Sequence, residues 1–139
     1  MIPALDISTS GLVAQRMRMN VISSNLANIT TTHNERGEAS PYQPRFVVLE
    51  ADESLGSNGA AGVKVRSVET DPVEPRLKFD PGNPDAIKEG PKQGYVAYPN
   101  VNMMMEFTDA LEASRAYEAN LGAMEITRDM EQQTLRILA

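Results

Sequence analysis

The sequence contains neither cysteine nor tryptophan, and aromatic residues make up only 5% of its 139 positions. The lack of cysteine excludes disulfide scaffolds and thiolate metal sites. The shortage of large aromatic side chains limits the compact core that the chain can build. The single histidine, His33, lies in a stretch rich in threonine and asparagine, where a metal site would have to rely on carboxylates alone. We therefore expect no metal and no cofactor.

Positive charge is also scarce, since 13 lysines and arginines stand against 19 acidic residues and the net charge is -6. Phosphate binding needs clustered basic residues, so no nucleic-acid partner is expected. No stretch approaches the roughly 18 apolar residues that a membrane span needs. The first residues, MIPALDISTSGLVAQ, lack a basic segment followed by a continuous apolar one. This pattern predicts that no secretory signal is cleaved.

No arrangement of residues typical of a catalytic site is present. Acidic residues cluster in a Gly-rich stretch and again on a predicted helix face: Glu50, Asp52 and Glu53, then Asp129 and Glu131. General acid-base catalysis needs two carboxyl groups held together in a cleft, which neither location provides. Ser114 lacks the flanking glycines of a nucleophile elbow. We expect a protein that is not an enzyme and has no small-molecule substrate.

Residues Val101 to Leu138 contain no proline and one glycine, which predicts one long helix. Apolar residues at helical spacing form a stripe of large side chains: Met104, Phe107, Leu111, Tyr117, Leu121, Met124, Leu135 and Leu138. A second stripe has smaller members: Ala113, Ala116, Ala123, Ile126, Met130 and Ile137. A helix that is apolar on two faces needs two partners. We expect the large stripe to pack against the chain's own N-terminal helix and the small one against other subunits.

Residues Ile2 to Ala27 form a second predicted helix, with a heptad pattern typical of a coiled coil. Its seam consists of Leu5, Leu12, Met19 and Leu26, with Ser8, Gln15, Ile22 and Ile29 three residues after each. The helix should end between Asn25 and Thr32, where the side chains favour a cap or turn. Asn25 and Asn28 are expected to cap it, and at least one of them is expected also to bond a neighbouring chain.

The stretch between the helices has the pattern of a small β-rich, Pro/Gly-rich insert. Strands are predicted over Tyr42 to Leu49 and Val63 to Val68, joined by a flexible loop over 51–62. Residues Thr70 to Pro99 hold six of the nine prolines and should run extended, with Leu77, Phe79, Tyr95 and Tyr98 as packing anchors. Asn100 or Asn102 is the expected N-cap of the last helix. The sequence therefore predicts an α+β fold in three segments, 1–32, 33–99 and 100–139, whose long terminal helices pack as an antiparallel coiled-coil pair.

Several of these stretches resemble the bacterial flagellar axial proteins, the family of rod and hook subunits. The end of the first helix has that family's SNLAN-x-x-T pattern, here Ser24, Asn25, Leu26, Ala27, Asn28 and Thr31. DPGNPDA at 80–86, GYVAYPNVN at 94–102 and the helix that follows are similar to the proximal-rod branch of the family. One departure is Asn102, since members commonly carry an aspartate there.

This resemblance implies a structural subunit of the proximal rod, exported without a cleaved signal and located in the periplasmic part of the basal body. Its partners would be itself and other rod subunits in a helical polymer, with the inner-membrane ring and the export apparatus nearby. The rod would surround the export channel and transmit torque. The residues expected at subunit interfaces are Leu5, Leu12, Met19, Ile22, Leu26, Met104, Phe107, Leu111, Tyr117, Leu121, Met124, Met130 and Leu135. The alternatives are another rod or hook-region subunit, an exported wall-remodelling enzyme, and a soluble adaptor or chaperone.

Overall fold

A computed structural model of the chain describes residues 3–56 and 59–138 and has two long helices with two β-hairpins between them. The elements are α1 (Pro3–Ala27), β1 (Arg45–Asp52), a 3-10 turn (Glu53–Leu55), β2 (Gly62–Thr70), β3 (Arg76–Phe79), β4 (Tyr95–Tyr98) and α2 (Met103–Leu138). This arrangement confirms the α+β class. The expected helix start at Ile2 lies outside the described residues, as do positions 57, 58 and 139. Neither helix is long and apolar enough to cross a membrane, judged over the residues described.

The start of α2 is fixed by Asn102. Its side-chain Oδ1 accepts hydrogen bonds from the backbone N–H groups of Met104 and Met105, at 3.1 and 3.3 Å. These amides have no partner within the helix, so a side-chain acceptor here stabilises the first turn. Asn100, the other candidate, instead donates its side-chain N–H to the carbonyl of Glu74 at 3.0 Å. Asn102 is therefore the N-cap.

The two helices pack antiparallel along a seam of small residues. Ala14 of α1 and Ala113 of α2 are 1% and 0% exposed. Gly11 lies against the side chain of Asn120, and a Cβ atom at Gly11 would come within 2.7 Å of Asn120 Oδ1. A side chain at position 11 would therefore force the Asn120 side chain to move, so the glycine here suits the close packing of the two helices.

The first hairpin, β1–β2, lies along α1. Its strands are antiparallel, with Arg45 opposite Thr70 and Asp52 opposite Gly62. Ser10 of α1 accepts a hydrogen bond from the Val63 amide at 3.0 Å. The connection between the strands is shorter than the loop expected over 51–62, because Asp52 ends β1 and caps the 3-10 turn by accepting from the Ser54 amide. Hydrogen bonds from the Ser54 hydroxyl and amide hold the pKa of Asp52 below its usual value.

The second hairpin, β3–β4, pairs two short strands inside the proline-rich stretch, with Arg76 opposite Tyr98. The prediction that four side chains of this stretch anchor its packing is wrong for three of them. Leu77, Phe79 and Tyr95 are exposed, Phe79 by 62%, and the Phe79 and Tyr95 rings stack edge to face on the outside at 5.2 Å. The buried residue is Val96, because successive side chains of a strand point to opposite faces and Tyr95 faces outward.

Candidate assembly surface

Asn25 is a buried polar junction between three elements. The residue is 2% exposed, although its side chain is polar. Its Oδ1 accepts from the Arg45 amide and the Tyr42 hydroxyl at 2.9 and 3.0 Å. Its Nδ2 donates to the Arg45 carbonyl and to Glu106 Oε1 at 2.8 and 3.0 Å. An asparagine amide can make four hydrogen bonds, and all four join α1 to β1, to the segment before β1 and to α2 within one chain.

Glu106 brings α2 to this junction. Partial burial raises the pKa of the Glu106 carboxyl, while the hydrogen bond from Asn25 lowers it and the nearby Asp109 raises it further. Arg18 lies about two helical turns before Asn25 on α1, and its guanidinium contacts Glu112 at 3.1 Å and Asp109 at 3.7 Å. These side chains hold the start of α2 against the end of α1.

Asn28 is the cap expected at the end of α1. Its Nδ2 donates to the Ser24 carbonyl at 2.9 Å, and its Oδ1 accepts from the Thr31 hydroxyl at 3.1 Å. Asn25 does not cap the helix, and that expectation is wrong, because its amide is taken up by the junction. A hydrogen bond from Asn28 to a neighbouring chain stays a prediction.

Two contacts with Asp85 join the turn after α1 to the segment that follows β3. The Thr32 hydroxyl donates to Asp85 Oδ2 at 2.6 Å. His33 Nδ1 lies 3.4 Å from the same oxygen, and the His33 side chain is largely solvent-exposed. Within residues 3–56 and 59–138, no three side chains of the metal-ligating types lie close enough together to hold an ion.

Of the interface residues expected on α1, one lies in the centre of the helix pair and the others lie at its edges. Ile22 is buried, whereas the rest are half-buried: Leu5, Leu12, Met19 and Leu26. The centre of the seam consists of Gly11, Ala14, Ile22 and Asn25, which are three, eight and three positions apart and so lie on one face of the helix. The side chains half-buried in one chain keep apolar surface that a neighbour can cover.

On α2 the expected separation into an inner stripe of large residues and an outer stripe of small residues is wrong, because each stripe has both covered and exposed members. Ala113 of the small-residue stripe is buried against α1, and Ala116 is half-buried. Tyr117 and Met124 of the large stripe are half-buried, but the other members expected at interfaces are exposed: Met104, Phe107, Leu111, Leu121 and Leu135. The remaining members of the small stripe are exposed as well: Ala123, Ile126, Met130 and Ile137. Ala113 lies innermost because a small side chain lets the two helix backbones approach closely, which a large side chain at this position would prevent.

The exposed apolar surface is concentrated on α2. Eleven large apolar side chains within residues 103–138 are exposed, and Ile137 reaches 84%. The chain exposes 9802 Å² for a mass of 15.2 kDa. A compact monomer of this mass exposes about 7,100 Å², so roughly 2,700 Å² is in excess. A large exposed apolar surface marks a site of protein association.

Two family models match the chain, one at each end. "Flagella basal body rod protein" matches residues 5–32, and "Flagellar basal body rod FlgEFG protein C-terminal" matches residues 92–137. Curated relatives named flagellar basal-body rod protein FlgC match over almost the full length. The Bacillus subtilis protein is 40% identical, covering 96% of this chain and 95% of its own. The chain belongs to the flagellar basal-body rod protein family.

Two further rod proteins agree with this assignment. The FlgC protein of Borreliella burgdorferi is 36% identical over 97% of this chain and 95% of its own length. The Salmonella typhimurium protein is 37% identical over 95% of this chain and 93% of its own. The relatives are named as rod proteins and not as enzymes, so the expectation of a non-enzymatic structural protein is confirmed.

Sequence reasoning on this rod protein found the SNLAN pattern but missed the partners of its first asparagine. Tyr42, Arg45 and Glu106 are up to 81 positions away along the chain, so no local pattern connects them to Asn25. It also missed the contact of Gly11 with Asn120. Gly11 and Ala14, three positions apart on α1, are the signal in the sequence, but small residues add little to an apolar stripe.

Proposed function

We propose that this chain is a subunit of the proximal rod that polymerises helically through its terminal helices, with α1 and α2 acting as a coiled-coil pair. The observation that carries the proposal is the exposed apolar surface of α2, which is far larger than a soluble monomer of this size keeps. Because the chain belongs to the flagellar basal-body rod protein family, the assembly that would cover this surface is the rod.

The geometry supports a role in carrying load. α2 is one unbroken helix of 36 residues, about 54 Å long. It is braced on α1 along the Ala14–Ala113 seam and at the Asn25 junction, so a force applied at one end is passed along a packed pair. In a helical polymer around an export channel, such struts would transmit torque as parts of a drive shaft.

The proposal also covers location and partners. The subunit would reach the periplasmic part of the basal body without cleavage of a signal peptide. It would contact other copies and other rod subunits there, with the inner-membrane ring and export apparatus nearby. The remaining alternative is a different rod or hook-region subunit of the same family.

The test is a single charge placed on the exposed stripe. Leu121 is exposed, so Leu121→Glu should leave the subunit fold intact but abolish rod assembly, because the carboxylate would be buried without a partner in the polymer. The half-buried Leu12 gives a second position, and Leu12→Glu should act in the same way. Motility and recovery of the protein in purified basal bodies are the measurements.

Gln93→Glu is the matched control, since it adds the same charge on an exposed turn of the second hairpin, away from both helices. It should leave assembly unchanged. Normal motility of the Leu121→Glu and Leu12→Glu strains would contradict the proposal.

A further inference from the structure

Strand β1 has an edge that no other strand covers. The amide and carbonyl of Arg45 bond the Asn25 side chain, so they point away from β2, and the Asn25 amide takes the place that a third strand would have. Alternate residues of an antiparallel strand direct their backbone groups to the same edge, so those of Val47, Leu49 and Ala51 point the same way. Among the described residues, no backbone hydrogen bond reaches them from that side.

The contacts of α1 leave this edge open. Asn25 touches one end of the hairpin at Arg45, and Ser10 accepts from the Val63 amide on the outer edge of β2 at the other end. α1 therefore crosses the hairpin from one edge to the other and lies away from Ala51, which is opposite Val63 and exposed. The register shift in this hairpin skips a residue of β2 and none of β1, so the alternation along β1 is regular.

Strand β3 has a second uncovered edge. All four of its residues, Arg76–Phe79, are exposed. Tyr95 of β4 is opposite Phe79, but both backbone groups of Tyr95 bond the loop that precedes it. The backbone groups of Phe79, and by alternation those of Leu77, therefore point away from β4. No backbone hydrogen bond within the described part of the chain reaches them.

The two open strands carry opposite charges. Glu50 and Asp52 are two positions apart and share one face of β1, and Arg76 and Lys78 share one face of β3 in the same way. These side chains keep hydrogen-bonding groups for another partner. Glu50 contacts Lys64 through one oxygen, at 3.2 Å, and Arg76 uses only its Nε–H, on a backbone carbonyl. β3 is therefore a basic strand that suits the acidic edge of β1.

One antiparallel register satisfies both the hydrogen bonds and the charges. It aligns the outward backbone groups of the two strands, which then exchange hydrogen bonds. It also places each base of β3 opposite an acid of β1 and the apolar side chains opposite one another. A shift of two positions in either direction keeps only one of the two charged pairs. The four cross-strand pairs are Ala51 with Leu77, Leu49 with Phe79, Glu50 with Lys78, and Asp52 with Arg76.

One chain cannot make this pairing with itself. Ala51 is opposite Val63, which bonds Ser10 early in α1, whereas Leu77 and Thr30 line a shallow groove beyond the end of α1. From Ser10 to its end the helix rises by about 25 Å. The pairing therefore needs two copies. Because it joins different patches of the same molecule it is heterologous, and it can repeat from copy to copy.

We propose that β3 of one copy adds as a third strand to the open edge of β1 of a second copy, in this register. Addition of a strand to an exposed sheet edge is a general mode of protein recognition. The inference goes beyond the proposed function, which joins subunits through their terminal helices, because it assigns a contact to the β-rich insert. A pairing of four residues is smaller than the interfaces of stable complexes, so on its own it is weak in dilute solution.

Cysteine cross-linking tests this pairing directly, because the parent chain contains no cysteine. Both Ala51 and Leu77 are exposed, so Ala51→Cys and Leu77→Cys should leave the fold intact. Opposite residues of a hydrogen-bonded pair have Cα atoms about 5.5 Å apart, which is within the range of a disulfide. Mild oxidation of the concentrated double variant should give dimers, trimers and longer species on a non-reducing gel. Mass spectrometry of proteolytic peptides should find position 51 joined to position 77.

Ala51→Cys with Gln93→Cys is the control for random collision, because Gln93 is exposed on the same hairpin but outside β3. A specific contact raises the local concentration of the two thiols, so the yield of 51-to-77 links should exceed that of 51-to-93 links at least about tenfold. Links at the control level, or links that join like positions only, would overturn the inference.

The charge of Lys78 provides a second test in the same cysteine background. Lys78→Glu should reduce the cross-linked species several-fold, because it places two carboxylates opposite each other, and Lys78→Arg should keep most of them. Equal yields from these two variants would contradict the register. Recovery of the reduced double-cysteine variant in basal bodies reports on the proposed function separately, so a failure of strand pairing is distinguishable from a failure of rod assembly.

Discussion

The helices of this subunit should depend on assembly, and dilution is the perturbation that shows it. The two helices hold 25 and 36 of the 139 residues, so about 44% of the chain is helical in the structure. Helices in proteins draw most of their stability from tertiary packing and not from intrinsic propensity. We expect the dilute subunit to show less than about half of this helix content, because packing within one chain is sparse.

The free energies of burying apolar side chains favour this outcome. Among the described residues of the helices, the fully buried apolar side chains are Ala14, Ile22 and Ala113. At about 0.8 kcal/mol for each alanine methyl and about 1.5–3 kcal/mol for isoleucine, they contribute roughly 3–5 kcal/mol. The eleven exposed large side chains of α2 are already partly covered, and burial of their remaining surface by neighbours would add on the order of 10–20 kcal/mol, before the costs of association. A large share of the stabilisation is therefore available in the polymer and not in the free subunit.

Far-ultraviolet circular dichroism at low micromolar concentration measures the helix content of the free subunit. Hydrogen exchange then compares α2 peptides in the free subunit with the same peptides in purified basal bodies, and the expected difference is strong protection only after assembly. A free subunit with the full 44% helix content, a cooperative melt and slow exchange throughout α2 would refute the reasoning.

Two further predictions concern the junction at the end of α1. Asn25→Ala leaves the Arg45 backbone groups and Glu106 without their partner, so we expect a loss of about 2–4 kcal/mol, at about 1–3 kcal/mol for an unsatisfied buried group. Urea unfolding of the concentrated protein checks this value against Asn28→Ala, which removes a local cap and should cost about 1 kcal/mol; equal losses in the two variants would contradict the assigned roles. Glu106→Gln keeps an acceptor for Asn25 but cannot ionise. Because burial raises the pKa of Glu106, the parent loses stability as pH rises from its usual value of 4.5 through the raised one, and the variant should become the more stable protein across that window. Thermal melts at pH 4 and pH 7 measure the stability difference between the parent and the Glu106→Gln variant. A difference that does not change with pH would contradict this prediction.

Local sequence patterns predicted the helices and their ends well because those features depend on near neighbours. Asn102 caps α2 and Asn28 caps α1 through bonds that span two to four positions. The first hairpin was predicted from its alternating strands, and the structure pairs them as β1 and β2. The pairing of β3 with β4 was missed because fifteen residues of turn separate two strands of only four residues each.

The inner and outer faces of α2 could not be assigned from periodicity. A hydrophobic stripe shows that a face will be covered, but it does not show whether the same chain or another chain covers it. Here Ala113 packs inside the subunit, while Phe107 and Leu111 stay exposed. Where the two backbones approach closely, as at Gly11, the size of a side chain decides whether it fits between the helices. Hydrophobicity alone does not decide this.

The contact between Gly11 and Asn120 also sets how the helix pair responds to a push along its axis. If α2 slid by one turn, about 5.4 Å, either Ala116 or Met124 would arrive at the position of Asn120. Met124 is too bulky for the space beside Gly11, and Ala116 would leave that space unfilled. Sliding in one direction therefore meets a steric stop, and sliding in the other opens a cavity. The small-residue seam adds little to the folding free energy, but in this way it would keep the two helices in register under load.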